Sequence, residues 1–254
     1  MKNFIKDLKI AIKLAKINLK TSIEGTYLGI IWYLLDPILF FLMIIFVRSF
    51  IKGADFAQYP LYLITGLIIY NYFVNSTSKM INFSKSSSNY AKNSNLSYNC
   101  IFLGKFFQSA YLHLFEIIVL IIFALFFNGS LLGILAYILI IFFFFSILNM
   151  GVSFIILVIG AYFPDFSNIW HLFTRLLRFV MPIFFIFEEK SFLYTLNLFN
   201  PVFYFLQITR DLVLFSKISD PFFIIVAFSS AIIIFIIGYL MFKKYNKYFP
   251  ELAE

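Results

Sequence analysis

Apolar residues in this chain come in blocks rather than in alternation. Six blocks read as helices: about Ile30 to Ile51, Tyr59 to Asn75, Phe106 to Phe127, Leu131 to Gly160, Ile169 to Phe187 and Phe222 to Phe242. At about 1.5 Å of rise per residue, a hydrocarbon core about 30 Å thick needs roughly 20 apolar residues, so each block predicts one membrane-spanning helix. The fourth block carries no charge, and the second is short for a span. The segments between them are polar or broken. Ser76 to Asn99 is dense in Ser, Asn and Lys, Ala161 to Asn168 holds Pro164 and Asp165, and Glu188 to Pro221 is semi-apolar and interrupted by Pro201. Ahead of the first block, Phe4, Ile5, Leu8, Ala11, Ile12, Ala15 and Leu19 recur at three- and four-residue steps, with lysines mostly on the other faces. That period predicts an amphipathic helix lying in the membrane interface. No small-residue cleavage site follows it, so no removable signal peptide is expected.

Composition agrees with this picture and narrows it. Of 254 residues, 62% are hydrophobic and 13% charged, too little polar surface for a water-soluble globular protein. The fold class expected is therefore an all-α membrane protein with six transmembrane helices. The single Cys100 cannot form an internal disulfide, and no Cys/His spacing resembles a metal site. The net charge of +8 sets an orientation through the tendency of Lys and Arg to stay on the cytoplasmic side. With the N-terminus inside, only Arg48, Lys52, Lys190, Arg210 and Lys217 of the 20 basic residues fall outside. Both termini are thus expected in the cytoplasm, with the segment after span five facing outward. The 38 Phe are less informative, because Ile, Lys and Asn are also plentiful, as AT-rich coding would produce.

Four stretches carry more specific patterns. The first, Tyr27-Leu28-Gly29-Ile30-Ile31-Trp32-Tyr33-Leu34-Leu35-Asp36-Pro37, leads from the interfacial helix into span one. Gly29 permits close approach, Trp32 prefers the headgroup boundary, and Pro37 removes a backbone donor near the start of the span. The second runs from Tyr59-Pro60 through Gly66 to Phe73. The third comprises Gly160-Ala161-Tyr162-Phe163-Pro164-Asp165 and Met181-Pro182-Ile183-Phe184-Phe185, and the fourth is Leu198-Phe199-Asn200-Pro201 with Arg210 nine residues beyond Pro201.

In this order, these stretches resemble the ABC-2 type permeases, in particular the branch that exports polysaccharides such as O-antigen, capsule or teichoic acid. Two departures stand out: Tyr70 occupies an aromatic position often filled by Trp, and Asn99-Cys100-Ile101-Phe102-Leu103-Gly104 lacks a proline that the family often carries. The resemblance implies one transmembrane domain over 1–254. It comprises an interfacial helix (1–28), spans one to five (30–187), an outer segment of re-entrant gate helices (188–221), span six (222–242) and a cytoplasmic tail (243–254). It further implies a homodimer in the cytoplasmic (inner) membrane, joined by two cytoplasmic ATPase subunits and moving a lipid-linked polysaccharide through a path at the dimer interface. The sequence has no Gly-x-x-x-x-Gly-Lys-Ser/Thr pattern, so ATP would act through the partner subunits and the chain itself is expected to be no enzyme.

The resemblance places the outer gate at Asn200, Pro201 and Arg210, and the opening of span one at Gly29, Trp32 and Pro37. Lys85, Lys92 and Asp165 lie in the loops that would meet the ATPases. Trp32, Tyr33, Phe40, Phe179 and Phe184 are candidate channel aromatics, able to stack on sugar rings. Arg175 and Arg178 either meet substrate phosphate or snorkel to inner headgroups, depending on where span five begins. His113 and Glu116, three apart on one helix face, form either a satisfied polar pair or a proton relay. Three rivals stand beside this reading: an ion-coupled secondary transporter, an intramembrane enzyme acting on polyprenyl lipids, and a permease of the same fold exporting a drug or small lipid.

Overall fold

The computed structural model describes residues 2–23, 27, 29, 31–49, 58–81, 96–163, 165–187 and 191–249. Among them all regular structure is helical: α1 (Lys2–Ile23), α2 (Ile31–Ser49), α3 (Tyr59–Ile81), α4 (Tyr98–Phe126), α5 (Leu131–Tyr162), α6 (Phe166–Val180), α7 (Phe192–Asn197), α8 (Pro201–Val213) and α9 (Pro221–Tyr245). Helices α4, α5 and α9 are each long and apolar enough to cross a membrane, at 29, 32 and 25 residues.

The helix starts follow local chemistry. Ser97 and Ser130 accept hydrogen bonds from the backbone N–H groups of Cys100 and Gly133, at 3.2 and 3.0 Å, and so cap α4 and α5. Asp220 accepts from Phe222 N–H at 2.8 Å ahead of Pro221, which fills a first-turn position where no N–H is needed. Pro37 sits inside α2, which continues past it.

Helix α3 forms the centre. Every residue from Leu61 to Tyr70 is buried, and α2, α4, α5, α6 and α8 all pack against it. A helix apolar on all faces belongs inside a bundle, and here its neighbours cover it on every side. Two cores result. The larger gathers α3 with Tyr137, Phe145, Phe205, Ala227 and Ala231, and the smaller joins Met80, Ile101, Phe102, Phe106, Phe154, Leu157, Phe242 and Phe249 at the other end.

The most extensive helix pair is α5 with α9. Their backbones meet at two glycines. A Cβ on Gly151 would lie 2.6 Å from the Phe235 backbone, and one on Gly238 would run into the Gly151 carbonyl. Small residues at such a crossing let the helices approach, as in membrane bundles generally. Helix α5 also contains a π turn over Tyr137–Ile141, and Tyr137 within it is fully buried.

The amphipathic period of the N-terminal segment becomes α1, which lies along α4. Ala11 and Ala15 are buried, Leu14 nests over Gly104, and Gln108 Nε2 donates to Asn18 O at 3.2 Å and Ser22 Oγ at 2.9 Å. Lys9, Lys13, Lys16 and Lys20 stay exposed on the opposite side.

One expectation changes. The fifth apolar block was read as running to Phe187, yet helix α6 stops at Val180 and the chain from Met181 to Phe187 is irregular. The cause is Pro182, whose ring pushes Met181 out of the helical region, to φ −73° and ψ 149°.

Candidate functional site

Irregular backbone inside an apolar bundle is tolerated only where its polar groups find partners. The segment after α6 meets this requirement through side chains from α3, α7 and α8. Val180 O accepts from Asn197 Nδ2 at 2.8 Å, and Phe184 O accepts from the Tyr59 hydroxyl at 2.9 Å. The Tyr62 hydroxyl bridges Pro182 O at 3.0 Å and Phe185 O at 3.1 Å. Arg210 completes the set by donating from Nη1 to Pro182 O at 2.6 Å and from Nη2 to Ile183 O at 3.4 Å.

Arg210 is 1% exposed, although it was read from the sequence as an outer basic residue. Its guanidinium lies 3.4 Å from the centroid of the Tyr62 ring and donates also to Tyr62 O at 3.2 Å. The ring face offsets the positive charge, and among the described residues no carboxylate pairs with it. Gly66 makes room for it, since a Cβ there would stand 2.7 Å from Arg210 Nη2. Three of the four sequence patterns thus converge on one side chain: Tyr62 and Gly66 from the second, Pro182 and Ile183 from the third, Arg210 from the fourth.

The break between α7 and α8 positions that arginine. Asn200 Oδ1 accepts from Val202 N–H at 3.1 Å, Pro201 occupies the first turn of α8, and the Tyr204 hydroxyl donates to Leu198 O at 2.8 Å. Asn200 is thus the cap and Pro201 the first-turn proline of α8, which is mostly buried against α3, α5 and α9.

Phe184 links this clasp to a second group of candidates. Its backbone is held by Tyr59, and its ring lies 6.0 Å from Phe40 and 5.6 Å from Phe179, centroid to centroid. Arg178 sits between Phe40 and Tyr70, 5.2 and 5.3 Å from their ring centroids, and donates to Asn71 Oδ1 at 3.1 Å. The Tyr70 hydroxyl in turn donates to Thr174 O on α6. Phe40, Arg178, Phe179 and Phe184 therefore form one patch where α2, α3 and α6 meet.

The remaining candidates lie apart from that patch. Arg175 is exposed while Arg178 is half-buried, so the two diverge in environment despite their three-residue spacing. Trp32 is exposed, Pro37 is buried, and Gly29 has φ +51°, so its use there is a left-handed backbone as much as space for a neighbour. Asp165 precedes α6, exposed and without a capping bond. The side chain of Tyr33, and Lys85 and Lys92 entirely, lie outside the described residues.

Sequence reading assigned no role to Tyr59, Tyr62, Asn71 or Asn197. Tyr59, Tyr62 and Asn71 stood inside a quoted pattern, whereas Asn197 carried no signal of its own. The pair it did single out is closed: His113 Nδ1 lies 2.8 Å from Glu116 Oε2, both buried, and His113 Nε2 lies 2.6 Å from the Tyr137 hydroxyl. Compared with known proteins, the chain matches no protein-family model and no curated protein. Its described residues form a helical bundle with three membrane-length apolar helices and a buried arginine clasp.

Proposed function

We propose that this chain is the transmembrane subunit of an ATP-driven exporter of the ABC-2 type. It moves a lipid-linked polysaccharide across the cytoplasmic membrane as a homodimer powered by two separate ATPase subunits. In this reading α2, α3, α4, α5, α6 and α9 are the six spans, both termini are cytoplasmic, α1 lies in the inner interface, and α7 and α8 form the outer gate.

The observation that carries the proposal is the convergence on Arg210. The Asn-Pro break, the downstream arginine, the Pro-Ile close of α6 and the glycine of α3 were separate points of resemblance. Together they build one interlocked unit that ties the gate helices to two spans. The patch of Phe40, Tyr70, Arg178, Phe179 and Phe184 supports a substrate role on chemical grounds, because aromatic faces stack on sugars and a guanidinium binds phosphate oxygens. It adjoins the clasp through Phe184, so movement of the gate reaches the patch through one residue.

Two results test this. Purified gently from its own membranes, the chain should carry a stoichiometric cytoplasmic ATPase, and glycan export by the chain alone would overturn the reading. In the reconstituted complex, Arg178→Gln should reduce export of the lipid-linked glycan about tenfold or more while leaving dimer and ATPase attachment intact. Export unchanged by Arg178→Gln removes the patch from the substrate path.

A further inference from the structure

A second polar cluster lies in the bundle interior, apart from the arginine clasp. Glu116, His113, Tyr137, Tyr72 and Asn149 lie together between α3, α4 and α5, all buried, and none has a part in the export reading. Glu116 meets His113 Nδ1 at 2.8 Å, and Nε2 of the same ring meets the Tyr137 hydroxyl at 2.6 Å. Tyr72 stacks on the imidazole with centroids 4.3 Å apart and bonds Ser146 Oγ at 2.8 Å. Tyr137 opens the π turn of α5, and such turns are frequent at functional sites.

This chain of contacts accepts one proton more or less without moving a heavy atom. With neutral His113, Nδ1–H donates to the Glu116 carboxylate and Tyr137 O–H donates to Nε2. When a proton is added to Nε2, the Tyr137 hydroxyl rotates to accept from it, and the Nδ1 proton passes along its hydrogen bond to Glu116, leaving a protonated carboxyl beside a neutral ring. The charge of the Glu116–His113 pair changes from −1 to 0.

The surroundings provide a route and a counter-charge. Asn149 is fully buried with its amide close to the Tyr72 hydroxyl, but outside normal hydrogen-bond geometry to it or to any other group among the described residues. A buried amide left so is satisfied by water in most proteins. About two turns along α3 from Tyr72, Lys79 Nζ is likewise buried without a hydrogen-bond partner among the described residues, and it is near enough for its charge to act on Glu116. The groups facing the pair are Asp36 on α2, Tyr72 and Lys79 on α3, and Tyr137 on α5, with Lys105 on α4 facing Lys79. Ser146 and Asn149 on α5 do not titrate.

We propose that Glu116, His113 and Tyr137 form a dissociable proton site in the bundle core, reached from the Lys79 end along Asn149. The site loads one proton per chain, and Lys79 stabilises the unloaded, negatively charged form.

Infrared titration of the full chain in lipid nanodiscs tests this. A protonated-carboxyl band that rises and falls with pH, and is missing in Glu116→Gln, is expected. Removing the positive neighbour in Lys79→Gln disfavours the unloaded form, so the half-titration pH should move up by about one unit. Removing a negative one in Asp36→Asn should move it down. A band that does not respond to pH, or persists in Glu116→Gln, overturns the proposal. Should Glu116→Gln fail to fold, Lys79→Gln and Tyr137→Phe retain the carboxyl, and a half-titration point unmoved in both overturns it equally. None of these results bears on ATPase attachment.

Discussion

Replacing Arg210 with Leu should lower the unfolding free energy of the bundle by about 3 kcal/mol or more, the largest loss expected from any single side chain here. The substitution leaves Ile183 O without a donor, takes one of two donors from Pro182 O, and opens a space where the guanidinium stacked on Tyr62. An unpaired buried carbonyl costs about 1–3 kcal/mol, and the cavity adds to that. Against a total stability of about 5–15 kcal/mol, such a loss changes the folded fraction markedly. Arg210→Lys should recover little, since a single ammonium cannot reach both Pro182 O and Ile183 O in fixed geometry or stack flat on the ring. Thermal unfolding in nanodiscs measures both. A melting point unchanged in Arg210→Leu would mean that the Met181–Phe187 backbone finds its donors elsewhere.

Gly151→Val should come second, costing about 2 kcal/mol or more. The new side chain meets backbone at Phe235, and backbone cannot rotate out of the way as a flexible side chain does. The α5–α9 pair must therefore spread along its length, disturbing the stacked rings of Phe144 and Phe228, whose centroids are 4.0 Å apart. Gly151→Ala should be milder but still destabilising, because its Cβ alone is already too close. Melting temperature and the yield of folded protein report the order wild type, Ala, Val. A Val variant as stable as wild type would show that the two helices are not locked at this crossing.

The sequence showed the helices and their order readily, because their signals are local. Apolar runs are decided within a few residues, whereas the caps at Ser97 and Ser130 stood in the sequence without being picked out. The early end of α6 was local as well: Pro182 and its effect on Met181 stand in the sequence, but the apolar run that continues to Phe187 hides the stop.

The site was legible in its parts and not as an assembly. Arg210 and Tyr62 lie 148 positions apart, and Tyr59 and Phe184 lie 125 apart. No periodicity predicts which tyrosine will serve which carbonyl. Arg210 itself was visible only as a basic residue in an outer segment, and charge counting treats such a residue as solvated. Its burial follows from the carbonyls exposed by the Pro182 break, which only the folded chain brings within reach. Tyr137 was missed for another reason, since a tyrosine inside an uncharged apolar block gives no polar signal and the π turn leaves no mark in the apolar pattern.

The attachment of α1 has a mechanical consequence. A rod transmits a push only if it is stiff and fixed at more than one point, and α1 meets both conditions. Ser97 Oγ bonds Asp7 Oδ2 at 3.3 Å near one end, Leu14 seats over Gly104 in the middle, and Gln108 holds Asn18 and Ser22 near the other. Helices α1 and α4 are therefore one beam with three rivets, and a force applied to the lysine side of α1 acts on α4 with little slack. His113 and Glu116 lie five and eight residues farther along that beam than Gln108, so a load on the surface helix is felt at this buried polar cluster.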